Sequence, residues 1–61
     1  MTLYDKVKHR ADELNKTISK IEIEAGIANG TIGGWRTGRP YAETLKKVAD
    51  VLQIPIEELL A

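Results

Sequence analysis

The sequence predicts an all-α fold, and two observations support this prediction. Apolar residues recur at intervals of three and four along most of the 61-residue chain, which is the spacing of one helix face. Thr2 and Thr17 precede such stretches as helix-capping residues, whereas Gly26, Gly38 and Pro40 stand at the breaks between them. Together these signals divide the chain into five helical segments.

The chain is long enough for one small domain, which we expect to span residues 1–61. Its apolar fraction of 43% is ordinary for a folded domain and argues against disorder. Cysteine is absent, which excludes disulfide bonds and thiolate metal sites. No apolar stretch approaches the roughly 18 residues of a membrane span, and no signal peptide follows Met1. We therefore expect a cytoplasmic protein without membrane association.

The formal net charge is zero, but the charges are unevenly distributed. Residues 27–47 contain four basic side chains and one acid, whereas residues 48–61 contain three acids and no base. This asymmetry permits a basic face opposite an acidic one. Because few cations are available, any affinity for nucleic-acid phosphates is expected to be modest.

The first helix is predicted to begin after Thr2, with Asp5 placed to complete a capping box. It carries a single stripe at helical spacing, formed by Leu3, Val7, Arg10, Ala11 and Leu14. Arg10 is therefore expected on or beside the buried face. The lone histidine, His9, lies beside the stripe, and we interpret it as a solvated side chain and not as a catalyst or metal ligand.

A second helix is predicted from Ile18 to Ala25, with Thr17 as its N-cap. One face of this helix is formed by Ile18, Ile21, Glu22 and Ala25. Gly26 then suits a left-handed helix C-cap, because glycine adopts that conformation without a steric penalty.

A third helix is predicted over residues 29–36, with Ile27, Ile32 and Trp35 facing inward. Two short helices joined by a glycine turn form a helix-turn-helix, here at about residues 17–36, whose second helix enters the DNA major groove. The outward positions are Asn29, Gly30, Gly33 and Gly34. Three glycines in one helix cost about 2–3 kcal/mol relative to alanine. Either the backbone must approach another surface closely, or the helix is held by core packing alone.

Pro40 is suited to precede a fourth helix, predicted over about Tyr41 to Leu52. Pro55 then starts a last short helix, Ile56 to Leu60. Leu59 and Leu60 either complete the core or form a patch that faces a partner.

An enzyme is not expected. One histidine, no cysteine and no carboxylate pair beside a Gly-rich phosphate loop leave no catalytic constellation and no metal site. The Gly33-Gly34 pair is not a phosphate-binding loop, because no strand precedes it and no Lys-Ser or Lys-Thr follows. We expect no cofactor and no small-molecule substrate.

Several motifs in register resemble the phage Cro and repressor family, the lambda-repressor-like or XRE-type domains. The matching positions are Gly26-Ile27, Thr31-Ile32, Gly38, Pro40, Glu43-Thr44-Leu45, Val48-Ala49, Leu52 and Ile56–Leu60. The variants Ile21-Glu22 and Trp35 are similar to repressors of phages or mobile elements of Gram-positive bacteria. The resemblance implies a compact five-helix bundle in which helix 29–36 enters the major groove.

The resemblance also implies site residues. The positions that read bases in the family correspond to Asn29, Gly30, Thr31, Gly33 and Gly34. The positions that contact DNA phosphates correspond to Thr17, Ile18, Ser19, Lys20, Thr37, Arg39 and Tyr41. Asn29 could pair with adenine N6 and N7, and Thr31 could meet a thymine methyl group. With so few base-reading side chains, we expect low intrinsic specificity per half-site.

Three positions depart from the family pattern. Ile18 replaces a frequent glutamine, Glu22 a small residue, and Arg36 a frequent glutamate that pairs with a base on the first helix. Arg36 would then face Arg10, which places two like charges together. We hypothesise that Glu22 bridges toward Arg36, Arg10 or both in a structural ion network.

The predicted function is sequence-specific binding of double-stranded DNA by a transcriptional regulator, most simply a repressor. We expect a bacterial or phage-encoded protein that is cytoplasmic and associated with the nucleoid. A near-palindromic operator and a weak homodimer through residues 52–61 are expected. The sequence leaves open whether the chain is a complete small regulator or the N-terminal part of a longer one. The alternative function is a protein-interaction module with the same fold that does not bind DNA.

Overall fold

The computed structural model describes residues 2–60, and over this range the fold is all-α. The elements in chain order are α1 (Leu3–Glu13), α2 (Ile18–Ala25), a 3₁₀ helix (Ile32–Arg36), α3 (Ala42–Leu52) and α4 (Ile56–Leu60). No strand occurs within residues 2–60. The all-α prediction is confirmed, but the predicted count of five α-helices is wrong, because four are present.

Side-chain caps fix the starts of α1 and α2, as predicted. The Thr2 hydroxyl accepts a hydrogen bond from the Asp5 N–H at 3.2 Å, and the Asp5 carboxylate accepts one from the Thr2 N–H at 3.1 Å. Thr17 accepts a hydrogen bond from the Lys20 N–H at 3.1 Å. These caps satisfy main-chain donors that have no partner inside the helix.

Gly26 ends α2 in the left-handed conformation, with φ of 72°. The Ile27 N–H donates to the Glu22 carbonyl at 3.0 Å, and the Gly26 N–H donates to the Ile23 carbonyl at 3.1 Å. This pair of bonds is a Schellman motif, which a glycine at this position favours. The turn therefore redirects the chain immediately after α2.

The predicted α-helix over residues 29–36 is not formed. Gly30 has φ of 90°, outside the helical region, and the regular segment begins only at Ile32. The bonds around it span three residues, from the Thr31 N–H to the Ala28 carbonyl and from the Gly34 N–H to the Thr31 carbonyl, both at 3.2 Å. Such bonds define the tighter 3₁₀ helix. The penalty estimated for three glycines in one α-helix therefore does not apply, since Gly30 lies in a turn that favours glycine.

The core lies between all five elements. Its buried apolar side chains are Val7, Ala11, Ile21, Ile32, Trp35, Leu45, Val48, Ala49, Leu52 and Leu59. α2 packs against α3, and α1 packs against the 3₁₀ helix. Leu59 is buried and completes this core, whereas Leu60 is 61% exposed and does not. Within residues 2–60, no helix has the length and apolar character needed to cross a membrane.

Candidate nucleic-acid interface

The residues predicted to contact bases lie on the turn before the 3₁₀ helix and on its first half. Asn29, Gly30 and Gly34 are exposed, and Thr31 and Gly33 are half-buried. Within residues 2–60 the Asn29 side chain makes no hydrogen bond, so its amide is available to a ligand. The Thr31 hydroxyl donates to the Ala28 carbonyl at 2.7 Å, which leaves mainly its methyl group for an external contact.

Gly33 and Gly34 have no internal reason to be glycine. A Cβ atom added at either position meets nothing within 4 Å, and neither residue has a positive φ. Gly30 differs, because its φ of 90° favours glycine whatever the surroundings. The bare surface at residues 33 and 34 is therefore not explained by the fold of the chain itself.

The start of α2 lies beside this turn. Ser19, Glu22 and Ile23 of α2 border one cavity of about 300 Å³ together with Ile27 and Asn29. The structure therefore brings a predicted phosphate-contacting residue, Ser19, next to a predicted base-contacting residue, Asn29. The helix start also offers main-chain N–H groups, which suit phosphate oxygens.

The predicted phosphate contacts on α2 differ in what they can contribute. Thr17, Ser19 and Lys20 are exposed, whereas Ile18 is half-buried and packs against the core. Ile18 was expected to face the nucleic acid, and its side chain instead covers apolar core residues. Only its main-chain N–H at the helix start remains suited to an anion.

The segment after the 3₁₀ helix carries the other predicted phosphate contacts. Thr37, Arg39 and Tyr41 are exposed, and Tyr41 is 87% exposed. The Gly38 N–H donates to the Gly34 carbonyl at 3.1 Å, which ties this segment to the 3₁₀ helix. Arg39 also borders a separate cavity of about 430 Å³, together with Lys6 and apolar residues of α1, α3 and α4. No sequence pattern reveals this second cavity, because its walls come from three distant parts of the chain.

The hypothesised ion network of Arg10, Glu22 and Arg36 is not formed, because each side chain has a different partner. Glu22 accepts a hydrogen bond from the Ile32 N–H at 3.0 Å. Arg10 donates to the Leu52 carbonyl at 3.0 Å and pairs with Glu13 at 3.3 Å. Within residues 2–60, Glu22 therefore forms no ion pair with either arginine.

Arg36 is exposed and lies over the ring of Tyr4, with 4.2 Å between its guanidinium carbon and the ring centroid. A cation over an aromatic face is attracted by the ring quadrupole. Arg36 therefore links the end of the 3₁₀ helix to α1. The sequence contained no spacing that would reveal this contact.

Surface hydrogen bonds shift the pKa values of two carboxyl groups at helix positions. The Thr2 main-chain N–H lowers the pKa of Asp5, and the Thr2 hydroxyl adds to this effect. A hydrogen bond from Lys16 lowers the pKa of Glu24. Among residues 2–60, no group of three or more potential metal ligands comes together.

No protein-family model matches this chain, and no curated protein sequence matches it. A function is therefore inferred from three features: the glycine surface, the neighbouring start of α2 and the segment after the 3₁₀ helix that carries Arg39.

Proposed function

We propose that this domain binds double-stranded DNA as a transcriptional regulator, most simply a repressor acting at the bacterial nucleoid. In this proposal residues 29–34 enter the major groove as the second half of a helix-turn-helix. The start of α2 and residues 37–41 contact the phosphate backbone on either side. The observation that supports it most strongly is the bare surface at Gly33 and Gly34, which neither backbone conformation nor internal packing requires.

Glycine at these positions favours a close approach of the main chain to another surface. Each glycine in a helical segment costs up to about 1 kcal/mol relative to alanine, so two of them weaken a small domain noticeably. Binding a duplex against this segment compensates for the lost stability, because the missing Cβ lets the backbone come nearer to the base edges. Asn29 then supplies the main hydrogen-bonding side chain, to an adenine edge.

Phosphate contacts orient the domain in this proposal. Lys20 and Arg39 are exposed cations, and neither forms an ion pair within residues 2–60. Main-chain N–H groups at the start of α2 add neutral donors. With few cations, the domain gains affinity from two copies on a near-palindromic site.

The homodimer is proposed to form through residues 52–61. Leu60 is 61% exposed and borders the cavity of about 430 Å³ near Lys6 and Arg39. An exposed leucine beside an apolar cavity is the kind of patch that a partner covers. Sedimentation equilibrium of wild type and Leu60→Ser, with and without DNA, tests this part of the proposal.

The decisive experiment compares Gly33→Ala and Gly34→Ala with the wild type, using duplexes selected from a random-sequence pool. Both substitutions should leave the fold intact or stabilise it by up to about 1 kcal/mol, because the added Cβ has open space. Both should weaken DNA binding by about tenfold or more, because the methyl group holds the backbone away from the bases. His9→Ala, at an exposed position of α1 outside the proposed DNA contacts, serves as the control. Undiminished DNA affinity in both variants would contradict the proposal.

A protein-interaction module is the alternative, and two observations favour it. The net charge is zero, and Ile23 is 72% exposed beside the cavity at Asn29.

Salt dependence separates the two functions, since the logarithm of the binding constant for DNA falls linearly with the logarithm of salt concentration. Arg39→Gln should reduce that slope by about one, whereas Lys8→Gln should change it less, because Lys8 already pairs with Asp12 at 2.7 Å.

A further inference from the structure

Glu22 is the one charged side chain buried within residues 2–60, with 3% of its surface exposed. It lies in the middle of α2, one helical turn after Ile18. Burying a carboxylate is unfavourable unless it is hydrogen-bonded, so the hydrogen-bond partner of Glu22 indicates its structural role. That partner is the main-chain N–H of Ile32, at 3.0 Å from Oε2.

This hydrogen bond joins two elements that the chain itself connects only through an exposed turn. Ile32 is the first residue of the 3₁₀ helix, and the preceding Thr31 provides no side-chain cap. From Gly26 to Thr31 the chain has no regular secondary structure, and Gly26 and Gly30 have positive φ. The bond therefore links the middle of α2 directly to the start of the 3₁₀ helix.

The apolar contacts of the 3₁₀ helix have less directional character, and the Arg36–Tyr4 contact restrains only its far end. Ile32 and Trp35 are buried, but apolar burial does not depend on direction. A hydrogen bond to a charged acceptor is short, strong and directional. Beside it lies the cavity of about 300 Å³ that Glu22 and Asn29 share, which gives the turn room to shift if the bond is lost.

We propose that Glu22 is a positioning residue, which sets the distance and rotation of the 3₁₀ helix relative to the start of α2. This inference rests on the proposed DNA-binding function. Glu22 would determine which duplexes the domain accepts without touching DNA, because it fixes Asn29 and the glycine surface relative to the phosphate contacts on α2.

Three substitutions test the proposal. Glu22→Met keeps the length of the side chain and removes the acceptor, whereas Glu22→Gln keeps a neutral acceptor oxygen. Glu24→Gln is the matched control, because it removes the same charge from the same helix. The partner of Glu24 is Lys16, at 2.8 Å, and not the main chain of the 3₁₀ helix.

The first measurement is amide hydrogen exchange in the free protein, expressed as the rate for Ile32 divided by the rate for Val48. Val48 lies in the buried middle of α3 and reports global unfolding, so the ratio cancels changes in overall stability. We expect the ratio to rise about tenfold or more in Glu22→Met, because the N–H loses its partner. It should rise less in Glu22→Gln, since a neutral acceptor binds more weakly, and should not change in Glu24→Gln.

An unchanged ratio in Glu22→Met would overturn the proposal, and if that variant does not fold, an unchanged ratio in Glu22→Gln would do so.

The second measurement is the affinity ratio between the best duplex from a random pool and its single-mismatch variants. Glu22→Met should lose about tenfold of this discrimination, while Glu22→Gln and Glu24→Gln retain it. Equal discrimination in Glu22→Met would refute the specificity role. If the wild type selects no duplex, the DNA-binding function fails, and the exchange ratio still tests the positioning role.

Discussion

Arg10 donates a hydrogen bond from Nε to the main-chain carbonyl oxygen of Leu52, over 3.0 Å and 42 positions of sequence. Leu52 is the last residue of α3, so its carbonyl has no partner within that helix. The positively charged guanidinium also lies at the negative end of the α3 dipole, where a cation is stabilising. One side chain therefore fastens α1 to the end of α3.

Replacing Arg10 with methionine should destabilise the domain by about 1–3 kcal/mol, because a half-buried carbonyl loses its donor. Chemical denaturation followed by far-ultraviolet circular dichroism measures the change. Lys8→Met is the control, since Lys8 forms only an exposed pair with Asp12 and should lose much less stability than Arg10→Met. Equal losses in the two variants would show that the bond to Leu52 contributes nothing.

Two isoleucines near the turn should differ strongly in their contributions to stability. Ile32 is fully buried, so Ile32→Ala should cost about 2–5 kcal/mol, enough to unfold much of a small domain. Ile23 is 72% exposed, so Ile23→Ala should stay within about 0.5 kcal/mol of wild type. Thermal melts of both variants check this. A large loss from Ile23→Ala would mean that its surface is covered in solution.

Gln53 ends α3 with φ of 59°, in the left-handed region. Gln53→Gly should stabilise the domain by up to about 1 kcal/mol, since glycine adopts this conformation without a Cβ clash. Gln53→Ala is the control and should give no gain, because alanine keeps the Cβ. The midpoints of denaturant unfolding compare the three proteins, and a gain from alanine equal to that from glycine would contradict this explanation.

Stability should fall in acid through Asp5 and Glu24. The ordinary pKa values of these carboxyl groups are 3.8 and 4.5, and in the folded protein hydrogen bonds from Thr2 and Lys16 lower both. A carboxyl group with a lowered pKa stabilises the fold above its ordinary pKa, and this contribution disappears as the pH falls through the lower, folded value. Thermal melts between about pH 5 and pH 2 should therefore show a shallower decline for Asp5→Asn, Glu24→Gln and their combination than for wild type. Identical slopes would exclude these two groups as a cause of acid sensitivity.

The four α-helices were predictable because local signals define their ends. Thr2 and Thr17 cap through their own hydroxyls, and Gly26 stops α2 through its conformational freedom. Pro55 separates α3 from α4 for a similarly local reason. Each signal acts within a few residues, so the sequence alone carries it.

The 3₁₀ helix and the ion pairs were not predictable because distant contacts decide them. The spacing of Ile32 and Trp35 suits an α-helix. However, Gly30 has a positive φ, and the Glu22 carboxylate accepts a hydrogen bond from the Ile32 N–H. Glu22 lies on an otherwise apolar helix face, which indicates that its carboxylate has a partner inside the protein. The sequence does not show whether that partner is a main-chain N–H or an arginine side chain. Long side chains such as Arg10 and Arg36 reach several partners, and only the packing of α1 selects among them.

The 3₁₀ helix is held from the inside, by the side chains of Ile32 and Trp35 and by the carboxylate of Glu22. Gly33 and Gly34 on its outer side, and Asn29 in the turn before it, contribute no side chain to that attachment. Those three positions can therefore vary without disturbing the architecture, so under the proposed function a change in duplex preference would require no change of fold.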